Sequence, residues 1–330
     1  MQVLCNDIER AEWSKLVANS TTGTWFQTQE AYDFFAFQPD LFEPFNLGLR
    51  SAHGLRGICI GYVTKEPHKV KQFFTRRAII IGGPCLANNC TNAEAEALMN
   101  AVRNKIENKA IYIETRNFND YGRWKEAFEK AGFVYQPHLD FHIDCTDEEA
   151  MWARLSDNRK RQIKRAMQHG VHIEEAQNEQ EIEAWYMILE TLYRTKVKTP
   201  LFPLSFFLTF YRQRLGKYLL VKHEGQIIGG IMCPVWNGKC IYEWFVCGDD
   251  KMYKEQYPSV MSTYAAMEYA QKNGLPRFDL MGAGKPDKAY SVRDFKARFG
   301  GQEVEYGRWL YVNKPALYKI GELGVKVLRR

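Results

Sequence analysis

The chain has 330 residues, 45% of them hydrophobic and 25% charged, and a formal net charge of +6. These are the values of an ordinary globular protein of two domains or one large one, and they exclude a low-complexity chain. The modest positive charge favours an anionic partner without identifying it. The opening residues Met1–Trp13 contain no basic stretch followed by an apolar one, and no window approaches 18 uncharged apolar residues. Neither a signal peptide nor a transmembrane segment is expected, and the protein reads as cytoplasmic. Eight cysteines, none in a C-x-x-C pair, read as reduced core thiols, so no metal site is expected.

In chain order, a helix is expected near Asp7–Val17, followed by a Trp25-Phe26-Gln27-Thr28 loop. Strands Phe45–Arg50 and Gly57–Val63 flank a turn at His53-Gly54, and a buried strand Ala78–Ile81 ends in Gly82-Gly83-Pro84. Thr91 and Glu94 have capping-box spacing for a helix through Ile106. A strand at Ile111 and a helix over Tyr121–Ala131 follow. The second half repeats this order. Strands Lys217–Lys222 and Gln226–Val235 join through His223-Glu224-Gly225. Lys239–Cys247 is a third strand, Pro258–Lys272 a helix with Gly274 past its end, and a strand at Asp279 precedes a helix at Lys296. Residues 109–133 and 277–301 repeat the strand, polar loop and short helix most clearly, so two copies of one mixed α/β unit are expected. The boundary falls at 145/146, giving domains 1–145 and 146–330. Between them Thr146 and Glu149 have capping-box spacing, and a basic helix over Arg159–Arg165 closes at Gly170.

The second copy carries the chemistry that the first lacks. Gly282 and Gly284 permit close backbone approach to a ligand beyond the end of a strand, and the Phe295-Lys296 pair follows them. A lysine there can neutralise an oxyanion or a phosphate. Glu243, among aromatics in a strand, is the candidate base, against the plainer reading of a solvent-facing strand position. Asp279 is explained by hydrogen bonding to the neighbouring loop as well as by catalysis. His138 and His142 share a strand face but lack a third metal ligand. On the basic helix Arg161 and Arg165 stack at i, i+4, beside Lys160 and Lys164, with Ile163, Ala166 and Met167 on another face. This is a solvated face, a phosphate-binding wall or a nucleic-acid surface.

These motifs together resemble the FemAB-like transferases and the related BioF2-like acetyltransferase domain. The similarity rests on Trp25-Phe26-Gln27-Thr28, Gly82-Gly83-Pro84, and Trp152-x-x-Leu155 followed by Asn158–Ala166 and Gly170. It continues in Phe278-Asp279-Leu280-x-Gly282 and Phe295-Lys296-x-x-Phe299-Gly300. The resemblance implies two tandem GNAT-like domains, each a mixed twisted sheet flanked by helices. It implies transfer of an acyl or aminoacyl group to an amine, with Lys296 at the family's functional lysine and with Arg159 and Arg194 as candidates for holding a precursor diphosphate. Two departures stand out: residues 179–215 are too short and aromatic for the coiled-coil arm of some members, and Lys251–Tyr257, before the helix at Pro258, contains no glycine for a pyrophosphate loop.

The expectation is thus an amide-forming transferase acting on a cell-envelope precursor. Lys296 and Glu243 are its catalytic candidates. Arg159, Arg161, Arg165, Arg194, Gly282, Gly284 and Phe295 are its substrate-binding candidates. No tightly bound cofactor is expected; the donor is acyl-CoA or aminoacyl-tRNA. Partners are a small-molecule or lipid-linked anionic substrate, tRNA under the aminoacyl reading, and a peripheral membrane contact. The alternatives are a peptidoglycan-type aminoacyltransferase using aminoacyl-tRNA, and a non-enzymatic module binding nucleic acid or an anionic surface through the basic helix and the Lys326–Arg330 tail. Lys296→Met is expected to lower turnover with little change in stability.

Overall fold

The computed structural model describes residues 1–5, 7–66 and 69–328. The chain divides into two compact units, residues 1–138 with 306–330, and residues 139–305. The first holds β1 (Gln2–Cys5), α1 (Arg10–Asn19), α2 (Gln29–Ala36), β2 (Phe42–Ser51), β3 (Gly54–Thr64), α3 (Lys69–Thr75), β4 (Arg77–Gly82) and β5 (Cys85–Leu86). It continues with α4 (Asn92–Ile106), β6 (Tyr112–Asn117), α5 (Lys125–Lys130) and β7 (Val134–Gln136). The second unit begins with β8 (Asp140–Asp144), α6 (Glu148–Arg154), α7 (Asp157–Gln168), β9 (His172–Glu175), α8 (Glu179–Leu192) and α9 (Leu204–Arg212). Then come β10 (Gly216–His223), β11 (Gln226–Trp236), β12 (Cys240–Tyr242), β13 (Phe245–Gly248), α10 (Pro258–Lys272), β14 (Arg277–Asp279), α11 (Ser291–Ala297) and β15 (Gln302–Val304). β16 (Arg308–Val312) and α12 (Pro315–Leu328) return to the first unit.

Each unit is built on an eight-stranded mixed sheet, and the two strand orders correspond position by position. One sheet runs β1-β2-β3-β4-β6-β16-β7 with β5 beside β3; the other runs β9-β10-β11-β12-β14-β8-β15 with β13 beside β11. β4 and β6 are parallel, as are β12 and β14 at the equivalent place. The repeat is therefore real. It closes by exchange: β8 follows the first copy in sequence but pairs with β14 and β15, whereas β16 follows the second copy and pairs with β6 and β7. The units consequently cut the chain differently from the expected 145/146 boundary, because β8 joins the second unit and residues 306–330 join the first.

Local chemistry explains the elements. The Thr91–Glu94 capping box starts α4 as its spacing requires. Gln27, wholly buried, bonds Ile60 through both its nitrogen and its oxygen and also reaches the Ile81 carbonyl, which ties the Trp25–Gln27 turn to β3 and β4. Before α6 the cap is Asp147, whose carboxylate accepts from the Ala150 N–H at 2.7 Å, whereas Thr146 turns back to Asp144; the Thr146 capping box expected from spacing does not form. On α7, Ile163 and Ala166 are buried as expected, but Met167 is 44% exposed. Seven of the eight cysteines are buried and all are free thiols.

Candidate functional site

The centre of the second sheet brings the chemically marked residues together. β12 and β14 run parallel in register from Cys240↔Arg277 to Tyr242↔Asp279. A last backbone bond from Glu243 N to Asp279 O, 2.9 Å, ends the pairing. On the other side, β11 pairs Val235 with Ile241 and Met232 with Phe245, three steps along β11 against four along the facing segment. This is a one-residue bulge at Tyr242–Trp244, and bulges of this kind re-aim side chains beside active sites. After it, β13 pairs with β11 alone among the described residues.

Glu243 lies in that bulge, and its side chain is 3% exposed. Its Oε1 is 2.9 Å from Lys296 Nζ, and its Oε2 accepts from the Thr263 hydroxyl at 3.3 Å. Lys296, on α11, also donates to the Leu280 carbonyl at 2.5 Å and the Gly282 carbonyl at 3.0 Å. Burial would strip the ammonium of its proton, but the adjacent Glu243 carboxylate, helped by Asp140, more than offsets this and holds the lysine above its ordinary value. An ammonium has three protons, and here each has an acceptor. The two catalytic candidates therefore meet as a closed, buried ion pair. Lys296 is no surface residue, and Glu243 is not the solvent-facing strand position of the plainer reading.

The lysine pins the loop that leaves β14. Met281 adopts φ 54°, Gly282 112° and Gly284 80°. A Cβ on Gly284 would meet the Tyr290 ring at 2.7 Å, so glycine is required there for both reasons. The loop wraps the Asp140 carboxylate, whose Oδ1 accepts from the N–H groups of Phe141 and Gly282, both at 2.7 Å. Asp279 Oδ1 accepts from Met281 N at 2.9 Å, and its Oδ2 lies 3.1 Å from His142 Nε2. Burial, and then the Asp279 charge, push Asp140 well above the usual carboxylate range. Burial also raises Asp279, but His142, Arg277 and the Met281 N–H outweigh it and hold that group below its ordinary value. Asp140, His142 and Asp279 place a ligand atom each within 4.8 Å of one another, the geometry of a small cation site. Arg277 and Lys296 already supply positive charge there, and no ion is required for balance. His138 is not part of this set; it faces Arg308 at 3.0 Å in the first unit.

Of the remaining candidates, Arg159 and Phe295 meet. The guanidinium lies 4.3 Å over the Phe295 ring and 4.8 Å over that of Phe299, and bonds the Phe295 carbonyl. It is 3% exposed, and burial, then Arg298, push it down to about 10. Arg159 thus fastens α7 to α11. Arg161 and Arg165 lie on the exposed face of α7, and Arg165 pairs with Glu255. Arg194, on a π-turn over Tyr193–Val197, lines a groove of about 490 Å³ with Tyr186, Tyr193 and Lys198, and neither Lys296 nor Glu243 is among its lining residues. A concavity of about 840 Å³ lined by Tyr211, Lys217, Tyr218 and Tyr269 contains none of the expected residues. The tail Lys326–Arg330 ends outside the described residues, at Arg329 and Arg330.

Sequence reasoning missed Asp250. Its carboxylate accepts from Ser259 N at 3.1 Å and from the Ser259 hydroxyl at 2.5 Å, and so occupies the N-terminus of α10. Gly248 permits this close packing, since a Cβ there would lie 2.3 Å from Ser259 N. The sequence signal was the missing glycine in Lys251–Tyr257, and the acidic pair Asp249-Asp250 just before it.

Residues 153–291 match the Acetyltransferase (GNAT) domain family. No curated protein matches the chain. Among solved structures, FemX is 12% identical with a TM-score of 0.72, covering 97% of this chain and 99% of its own. The C-terminal domain of a putative lysylphosphatidylglycerol synthetase from Agrobacterium fabrum is 13% identical with a TM-score of 0.59, covering 96% and 95%. A tandem GNAT protein from the clavulanic acid biosynthesis pathway is 8% identical with a TM-score of 0.53, covering 94% and 98%. At such identities the likeness is one of fold. Residues 153–291 are thus similar to a GNAT acetyltransferase domain, and the whole chain has the tandem GNAT fold.

Proposed function

We propose that this protein forms amides: an acyl or aminoacyl group passes from an activated ester or thioester to an amine on a cell-envelope precursor, a small or lipid-linked anionic molecule. The observation that carries this reading is the parting of β12 and β14. Past Tyr242 and Asp279 the two parallel strands no longer pair, and the free edge of β13 offers backbone donors and acceptors to an extended donor chain. The amine nitrogen attacks the donor carbonyl, the bond to the leaving oxygen or sulfur breaks, and the amine proton passes to water. Glu243, held by the Lys296 ammonium and the Thr263 hydroxyl, is the other candidate acceptor of that proton. Lys296 contributes by fixing the Leu280–Gly284 backbone at the mouth of the splay, so that the reacting groups are held rather than searched for. Arg161 and Arg165 attract the anionic substrate, and Arg194 is the candidate for its diphosphate.

A second observation favours an aminoacyl ester, as in aminoacyl-tRNA, over acyl-CoA. A helix N-terminus ordinarily welcomes a pyrophosphate, but at α10 the Asp250 carboxylate already holds that place. The test supplies radiolabelled acetyl-CoA and charged tRNA separately, with amine-bearing envelope precursors as acceptors. Label should move to the acceptor from the ester. Asp250→Ser should improve acetyl-CoA binding without creating it as the better donor. Transfer from neither donor class to any amine would overturn the assignment, and efficient transfer from acetyl-CoA by the unaltered protein would overturn the choice of donor.

A further inference from the structure

In the first unit α12 packs beside α3. Residues 69–77 and 314–328 contain Lys69, Lys71, Arg76, Arg77, Lys314, Lys319 and Lys326 against one acid, Glu322. The same two elements expose large apolar side chains. Phe73 is 46% exposed, Phe74 45% and Ile320 54%. The two phenylalanine rings meet edge-to-face at 5.1 Å and present one continuous aromatic knob. In α12 Leu317 and Ile320 lie three residues apart on one helical stripe, with Lys319 beside them. Tyr318 anchors the start of the helix against Tyr112 of β6, with ring centroids 5.3 Å apart.

Singly scattered exposed hydrophobics need no partner. Three of them on two neighbouring elements flanked by Arg76, Arg77, Lys314 and Lys319 are a different matter. A basic segment with aromatic and aliphatic residues lies in the headgroup region of a bilayer, where apolar burial and attraction to anionic lipids add together. No helix of the described residues is long and apolar enough to cross a membrane, so the contact is one of surface. We propose that the Phe73–Phe74 knob and the exposed flank of α12 at Lys319-Ile320 form a docking surface for an anionic lipid bilayer. Nucleic acid would also be drawn by the charge, but it has no use for an exposed aliphatic residue such as Ile320. The proposal does not depend on the acyl-transfer reading, because its assays involve no turnover.

The test is co-sedimentation with vesicles of phosphatidylcholine alone and with phosphatidylglycerol added, over a salt series. The intact chain should bind the anionic vesicles, release them as salt rises, and ignore the neutral ones. Phe73→Ala with Phe74→Ala should weaken binding by about tenfold or more, since burying one such ring is worth that much. Lys314→Glu with Lys319→Glu should weaken it too and flatten the salt dependence. Ile320→Ser, a single exposed position, gives an independent apolar readout should the double phenylalanine variant melt early. Absence of binding to anionic vesicles would overturn the proposal. So would full binding by both the phenylalanine and Ile320 variants, or preferential binding of bulk tRNA that survives loss of those apolar residues.

Discussion

Lys296→Met should destabilise the second unit, contrary to the expectation from sequence that its stability would hold. At 2.9 Å the Lys296–Glu243 attraction amounts to about 6 kcal/mol at an effective dielectric of ~20. Most of that offsets the removal of two charges from water, so the pair itself adds little. Removing one partner is different: Glu243 is left buried without its cation, and the Leu280 and Gly282 carbonyls lose a donor. The expected loss is about 3–5 kcal/mol, the range for breaking a buried pair. For a unit of this size that lowers the midpoint of melting by roughly 6–20 °C. The assay is thermal unfolding by circular dichroism of four proteins: the parent, Lys296→Met, Glu243→Gln and the double variant. Both single variants should melt early, and the double variant should recover most of the loss. A Lys296→Met protein melting within about 1 °C of the parent would refute the reasoning, because the structure leaves no cheap way to lose that ammonium. The same four proteins divide the chemistry. If Lys296 acts only by holding the loop, turnover follows melting across the four proteins, with the double variant still short of the parent because the Leu280 and Gly282 carbonyls lack their donor. If it touches the reacting oxygen, turnover stays about a hundredfold down or more even where melting recovers.

Three other outcomes follow from the site and its surroundings. Asp140 is raised, so the stability it contributes is full below its unfolded value and is lost as pH rises through its folded one; Asp140→Asn should therefore melt at or above the parent near pH 8, with the gap closing towards pH 4. Asp279→Asn, which removes the anion facing His142 and Arg277, should melt lower at neutral pH, and equal effects of the two substitutions would argue against the assigned protonation. Glu114 in the first unit feels burial raising it, but Arg116 and Arg308 outweigh that and bring it from 4.5 to about 2. Its stabilisation is present above the unfolded value and lost as pH falls through about 2, so Glu114→Gln should cost up to about 3 kcal/mol at pH 7 and flatten the acid transition in a pH titration. Arg161→Ala with Arg165→Ala should leave melting unchanged within about 1 kcal/mol, because the Arg165–Glu255 pair is half exposed; unchanged Michaelis constants across a salt series would make the outer face of α7 a solvated one.

What the sequence discloses is what local physics decides. α10 runs from Pro258 in its first turn to Lys272, just before the glycine at 274, and the two strand orders match as the repeat implies. The gathering of Lys296, Glu243 and Gly282 was legible only as three marked residues in one copy, not as a pair 2.9 Å apart. The bulge that turns Glu243 inward depends on a register shift against β11, and register is a property of two strands rather than one. Arg159 shows the same limit from the other side: as one of a run of basic residues it reads as a solvated charge, and only the rings of Phe295 and Phe299, more than 130 positions later, make it a buried fastener.

The exchange of β8 and β16 is the deepest of these non-local facts, and it bears on how the site is built. β8 supplies Asp140 and His142 to a loop whose other members, Asp279 to Gly284, lie some 140 residues on. A boundary drawn at 145/146 severs those residues from the carboxylate and lysine they surround. Local propensity cannot reveal this, because β8 is an equally good strand in either sheet; its alternation of buried Phe141 and Ile143 suits any covered face. Asp140 finds its partners in the second sheet. Its carboxylate needs donors in a buried place, and Phe141 N with Gly282 N provides them only where the positive-φ loop after β14 folds around it. The glycines that sequence reading set aside for a ligand thus have a prior duty. They shape the backbone that bonds Asp140 through Gly282 N and Lys296 through the Leu280 and Gly282 carbonyls.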